Sequence, residues 1–87
     1  MLSVAPYISW NNVEGELALF DTRSGAYHAL NASGAAIWRA LASGKGEAET
    51  VDALAAAHDA TREAIADAVR TFIADALARG LLVERAA

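Results

Sequence analysis

The sequence of 87 residues has no cysteine, a single proline, two histidines and two each of Trp, Tyr and Phe. Without cysteine there is no disulfide framework and no thiolate site, and two histidines cannot complete a structural zinc centre. No cofactor is expected. Seven basic residues stand against eleven acidic ones, a net charge of −4, which argues against a phosphate backbone as the main partner. No apolar run approaches the roughly 20 residues that a membrane span needs. The opening MLSVAPYISW has no basic segment before a long apolar stretch, so no secretory signal and a cytoplasmic location are expected. What is present is apolar: 55% of residues are hydrophobic, but 23 are alanine, leaving 25 larger side chains for a core. That suits one small domain over residues 1–87.

The first third alternates with the period of a strand. Residues 7–12 place Ile8 and Trp10 on one face and Ser9 and Asn11 on the other. Val13, Glu14 and Gly15 form a tight connection, with Gly15 available for a left-handed conformation. A second strand over 16–21 sets Leu17 and Leu19 against Ala18 and Phe20. The turn formers Asp21 to Gly25 follow, then a short third strand over 26–30. Three strands joined by loops this short make an antiparallel meander.

From Asn31 the period becomes helical. Asn31 can cap a helix over 32–42 that carries Ile37, Trp38 and Leu41. A second helix over about 48–58 follows the Ser43–Gly46 break, with Val51, Leu54 and Ala55 as its stripe. Thr61 can cap a third helix over about 62–79, whose stripe is Ile65, Val69, Phe72, Ile73, Ala76 and Leu77. Gly80 sits where a left-handed C′ residue is expected. The apolar Leu81, Leu82 and Val83 must fold back onto something. The fold class is α+β: a three-stranded antiparallel sheet followed by three helices, like a winged helix-turn-helix.

Templates for catalysis are missing. No nucleophile elbow occurs, and no Ser or Thr has a base assigned to it by spacing. His58 lies at a helix end, where it complements the dipole. His28 is an ordinary strand residue or a side chain facing a partner. Glu14, Glu16 and Asp21 cluster at hairpin turns, which is solvated turn chemistry. Gly44-Lys45-Gly46 lacks phosphate-loop spacing and follows a helix. Asn31-Ala32-Ser33 matches a glycosylation sequon, but Asn31 has a capping role. The chain is therefore not expected to be an enzyme. DNA binding suits the architecture, yet the third helix balances Arg62, Arg70 and Arg79 against Glu63, Asp67 and Asp75.

Two features lack an internal use. The third strand leaves an edge of unpaired N–H and C=O groups, without the charges or proline that normally blunt one. On the third helix, Ala64, Ala68 and Asp75 lie roughly 100–140° from Val69, with Phe72 between them and the core. Small residues beside an aromatic ring make either a close helix contact or a groove. An extended peptide adding to the edge would place alternate side chains in such a groove. Asp75 would favour a Lys or Arg in that peptide.

The pattern Asp21-x-x-x-Gly25-x-Tyr27-x-x-Leu30-Asn31-x-x-Gly34-x-x-Ile37-Trp38-x-x-Leu41 resembles the N-terminal signature of the PqqD family. Val69-x-x-Phe72-Ile73-x-x-x-Leu77-x-x-Gly80-Leu81-Leu82 is similar to the family's last helix and end. The resemblance implies a recognition element for ribosomally made, post-translationally modified peptides. Such proteins hold the leader segment of a precursor peptide as an added strand and deliver it to a modifying enzyme. A leader peptidase, a cyclase or a radical SAM enzyme would be that partner, in lasso peptide or pyrroloquinoline quinone biosynthesis. Carried over by residue, the edge is Ala26, Tyr27, His28, Ala29 and Leu30, and the helix wall is Ala64, Ala68, Thr71, Phe72 and Asp75. Specificity would come from pockets near Phe72 and Tyr27. Many relatives carry an acidic residue directly before the position of Val69, where this chain has Ala68. Asp67 is one place earlier and is expected to point outward, which makes Asp75 the substitute. A DNA-binding regulator and an adaptor for a partner enzyme alone are the alternatives.

Overall fold

A computed structural model describes residues 2–14 and 16–85. In chain order the elements are β1 (Leu2–Val4), β2 (Ile8–Val13), β3 (Glu16–Asp21), β4 (Tyr27–Leu30), α1 (Ala32–Ala42), α2 (Glu47–Ala57), α3 (Arg62–Ala78) and β5 (Leu82–Glu84). The three expected strands and three helices are present, with ends shifted by at most a residue. Ala26 falls just outside β4, although its carbonyl still accepts from the Asp21 amide at 2.9 Å.

β3 is the centre of the sheet, paired antiparallel with β2 from Ile8↔Asp21 to Val13↔Glu16 and with β4 from Leu17↔Leu30 to Phe20↔Tyr27. Its alternation does what the sequence requires: Leu17, Leu19 and Asp21 are buried, whereas Glu16 and Phe20 are exposed. The left-handed residue described in the β2–β3 turn is Glu14 (φ 48°), and the conformation expected of Gly15 lies outside the described residues.

The apolar tail after α3 becomes β5, which pairs antiparallel with β1, an element the sequence did not suggest. Gly80 (φ 75°) turns the chain out of α3, and the Leu81 amide closes the helix onto the Ala76 carbonyl at 2.9 Å. The Tyr7 hydroxyl then donates to the Gly80 carbonyl at 2.7 Å, tying this turn to the start of β2.

The core lies between the inner sheet face and the helices. Leu17, Leu19, Trp38, Val69 and Leu82 are fully buried there. Burying each such side chain contributes about 1.5–3 kcal/mol. Helix starts are fixed locally: the Asn31 side chain accepts from the Gly34 amide (2.9 Å), and the Thr61 hydroxyl from Ala64 (3.2 Å). α2 begins at Glu47, one residue before its expected start. Thr50 in its first turn is buried and donates its hydroxyl to the Gly46 carbonyl at 2.8 Å. Leu77, expected in the buried stripe of α3, is instead exposed, because α3 buries only Ile65, Val69, Ile73 and Ala76. Among the described residues no helix is long and apolar enough to cross a membrane, and no group of His, Asp and Glu could hold a metal ion.

Candidate functional site

The ladder pattern identifies which groups of β4 are free. The Asp21 amide donates to the Ala26 carbonyl, so 21/26 is a hydrogen-bonded pair. Antiparallel pairing alternates, which makes 19/28 and 17/30 hydrogen-bonded pairs as well. The N–H and C=O groups of Tyr27 and Ala29 therefore point away from β3, along the open edge. β4 is held in place by a turn that Asp21 organises. Its carboxylate accepts from the Arg23 and Ser24 amides at 2.9 and 3.3 Å, and its carbonyl accepts from Gly25 (φ 78°) at 2.8 Å. Burial opposes the charged form of Asp21. The two amides and the Arg23 guanidinium outweigh it and hold the carboxyl below its usual range. The sequence suggested a solvated turn carboxylate at Asp21, but the structure buries it, with its acceptor capacity used by its own loop.

α3 faces this edge with two rows of residues at i, i+4 spacing. Ala64, Ala68, Phe72 and Ala76 form the inner row, and Asp67, Thr71, Asp75 and Arg79 form the outer one. Three hollows run along them. The first, beside β4, lies between Tyr27–Leu30 and Phe72, Asp75, Ala76 and Arg79. The second continues past the strand, bounded by Asn31, Gly34 and Ile37 of the α1 start and by Asp67, Ala68, Thr71 and Phe72. The third lies between α1 and the start of α3, where Ala64 and Ala68 face Ala36. Phe72 and Asp75 belong to both of the first two hollows, and Ile37 and Ala68 to both of the last two. The result is one trough from the open edge to the α2–α3 turn.

Gly34 sets the width of its middle. A methyl group added there would stand 3.6 Å from both the Phe72 ring and Leu30. Charge along the outer row is internally balanced: Asp75 pairs with Arg79 at 3.0 Å, and Asp67 pairs with Arg70.

The trough brings together most of the residues singled out in the sequence. Tyr27, His28, Ala29 and Leu30 line it from β4, and Ala64, Ala68, Thr71, Phe72 and Asp75 from α3. Ala26 precedes the strand and lines none of the three hollows. Tyr27 and Phe72 both line the first hollow, but from different sides of the sheet. Tyr27 is opposite Phe20 on the outer sheet face, whereas His28 and Leu30 face inward with Leu19 and Leu17. Asp67, expected to point away, is exposed but lines the middle hollow, because the outer wall takes in the whole Asp67–Thr71–Asp75 row. Sequence reasoning also missed Ala76, Arg79, Gly34 and Ile37. The i, i+4 rows would have given Ala76 and Arg79; Gly34 and Ile37 depend on how α1 sits against α3.

The family model described as "Coenzyme PQQ synthesis protein D (PqqD)" matches residues 16–82. No curated protein matches the chain significantly. Among solved structures, "TbiB1 in Complex with the TbiA(beta) Leader Peptide" superposes with a TM-score of 0.89 at 27% identity, over 98% of this chain and 99% of that one. "Lasso peptide synthetase B1 complexed with the leader peptide" superposes with a TM-score of 0.87 at 23% identity, over 95% and 98% of the respective chains, and shows the same fold.

Proposed function

We propose that this chain, which belongs to the PqqD family, works as a single peptide-recognition domain that binds the leader segment of a ribosomally made precursor peptide. The observation that carries this reading is the coincidence of a free strand edge with a trough directly beside it. Main-chain bonds to Tyr27 and Ala29 supply affinity with little sequence demand, and side chains entering the trough supply selectivity. The structural relative TbiB1 was solved in complex with a leader peptide.

The domain acts by presentation rather than by its own chemistry. Holding a substrate for a bound enzyme raises the effective concentration to roughly the millimolar scale. A leader peptidase, a cyclase or a radical SAM enzyme is the proposed recipient, in the cytoplasm. The winged-helix DNA reading gains no support from the charges. Arg62, Arg70 and Arg79 pair with Asp52, Asp67 and Asp75, so this face offers phosphates no uncompensated row of cations.

A fluorescein-labelled leader peptide from the precursor gene beside this one should bind with micromolar or better affinity in an anisotropy titration. The affinity should change little with salt. Absence of binding to any neighbouring precursor would refute the reading, and a steep salt dependence would return it to nucleic acid.

A further inference from the structure

The two walls of the strand-edge hollow, β4 and the C-terminal half of α3, make almost no direct backbone contact. At one end α1 braces them, with Gly34 close to both Leu30 and Phe72. At the other end three loops converge on Tyr7. Its hydroxyl donates to the Gly80 carbonyl at 2.7 Å, which fixes the end of α3. Its own carbonyl accepts from the Thr22 amide at 2.9 Å and from the Thr22 hydroxyl at 2.7 Å, which fixes the β3–β4 turn. The Arg23 guanidinium lies over the Tyr7 ring, 3.3 Å from its centroid, and pairs with the buried Asp21 carboxylate at 3.5 Å. Gly80 leaves room for this arrangement: a methyl group there would stand 3.3 Å from the Tyr7 hydroxyl and 3.8 Å from the Arg23 guanidinium. Neither Tyr7 nor Arg23 lines any of the three hollows.

We propose that Tyr7 and Arg23 form a clasp that sets the gap between β4 and α3, and so position the leader site without touching the leader. The proposal rests on the reading that a peptide adds to the β4 edge. An added strand must lie about 4.8 Å from β4. At that spacing its inward side chains must also meet Phe72 and Ala76 on α3. A gap that breathes at the end of α3 meets one of these requirements at a time, main-chain pairing or side-chain contact. The clasp removes that freedom before the peptide arrives, which lowers the ordering cost of binding. When the clasp is open, fewer molecules are competent to bind, and the apparent affinity falls by the same fraction. The two residues act as a unit: Arg23 over the ring limits its swing and keeps the hydroxyl aimed at Gly80. One hydroxyl–carbonyl bond is worth a factor of up to about ten, so losing the clasp weakens binding and does not abolish it.

The test is a double-mutant cycle on leader affinity, read by anisotropy with a synthetic, fluorescein-labelled leader from the neighbouring precursor gene. Tyr7→Phe removes the hydroxyl and keeps the ring, and Arg23→Ala removes an exposed guanidinium, so both variants should fold. Each should weaken binding by about three- to tenfold. The double variant should bind hardly less well than the weaker of the two single ones. Val51→Ala, a cavity in α2 that lines none of the hollows, is the control for stability. It should lower the melting temperature at least as far as Tyr7→Phe and leave leader affinity unchanged. Parent-like affinity in folded Tyr7→Phe and Arg23→Ala would overturn the clasp while leaving leader binding intact. Losses that add in the double variant would overturn it too, because the two residues would then act separately. An equal loss in Val51→Ala would assign the effect to global stability and overturn the positioning role. No binding to the parent protein would remove the underlying reading and the clasp's role with it.

Discussion

The sheet has two open edges, β2 and β4, and the trough lies beside that of β4. On β4 the groups of Tyr27 and Ala29 point outward; by the same alternation, those of Trp10 and Asn12 point outward from β2. Both edges lack proline and lysine. What differs is the space behind them. Behind β2, Trp10 packs edge-on against buried Trp38 with ring centroids 6.3 Å apart, and Asn12 accepts a hydrogen bond from Arg39. Behind β4, His28 and Leu30 look into the hollow bounded by Phe72 and Asp75. Main-chain bonds alone give either edge the same modest affinity. Side-chain pockets are what turn an edge into a site.

The largest effect should come from proline on the β4 edge. Ala29→Pro removes an outward donor and distorts the strand, so leader affinity should fall at least tenfold, roughly, while the protein still unfolds cooperatively. Retained affinity in the folded variant would remove β4 as the pairing strand. Next comes the support of that edge. Asp21→Asn should lower the thermal midpoint at neutral pH by loosening the β3–β4 turn. The Asp21 carboxyl is held below its usual range, so its contribution is present above the unfolded-state value and is lost as pH falls through the folded one. Melting curves of parent and variant should therefore converge on acidification, and a gap that persists would rule out the ionised form as the stabiliser.

The middle of the trough should separate stability from binding. Gly34→Ala places a methyl group 3.6 Å from Phe72 and Leu30. It should stabilise α1 by up to about 1 kcal/mol and weaken the leader several-fold. A rise in both quantities would mean that the peptide does not pass Gly34. A smaller change is expected for Asp75→Lys, because Asp75 is exposed and already paired with Arg79. It should reduce affinity a few-fold for a leader carrying Lys or Arg, and salt should erase the difference; an unchanged affinity would take Asp75 out of the site. Smallest of all, Asn12→Pro on the β2 edge should leave leader affinity as it is. A loss comparable to that of Ala29→Pro would erase the distinction between the edges.

Much of this comparison could be read before the structure, because it rests on local rules. Period-two alternation over 8–21, the caps Asn31 and Thr61, and Gly80 at the end of α3 each act within a few residues of themselves. The β1–β5 ribbon could not be read in this way. Each strand is three residues long, and they pair across nearly the whole chain. The strand edge and the flank of α3 were visible as separate features. Their continuity was not, since it depends on the packing of α1 against α3 and brings Gly34 and Ile37 into the wall. Tyr27 illustrates a rule that was available but unused: one position from His28 in a strand puts it on the opposite face.

The central claim is that a leader pairs with β4 and not with β2. Amide hydrogen exchange of the 15N-labelled protein, followed by NMR with and without the leader peptide, reports on both edges in one experiment. The account predicts that the Tyr27 and Ala29 amides become protected when the peptide is added, while those of Trp10 and Asn12 exchange as before. Saturating peptide that leaves Tyr27 and Ala29 unprotected, or that protects Trp10 and Asn12 instead, would contradict it.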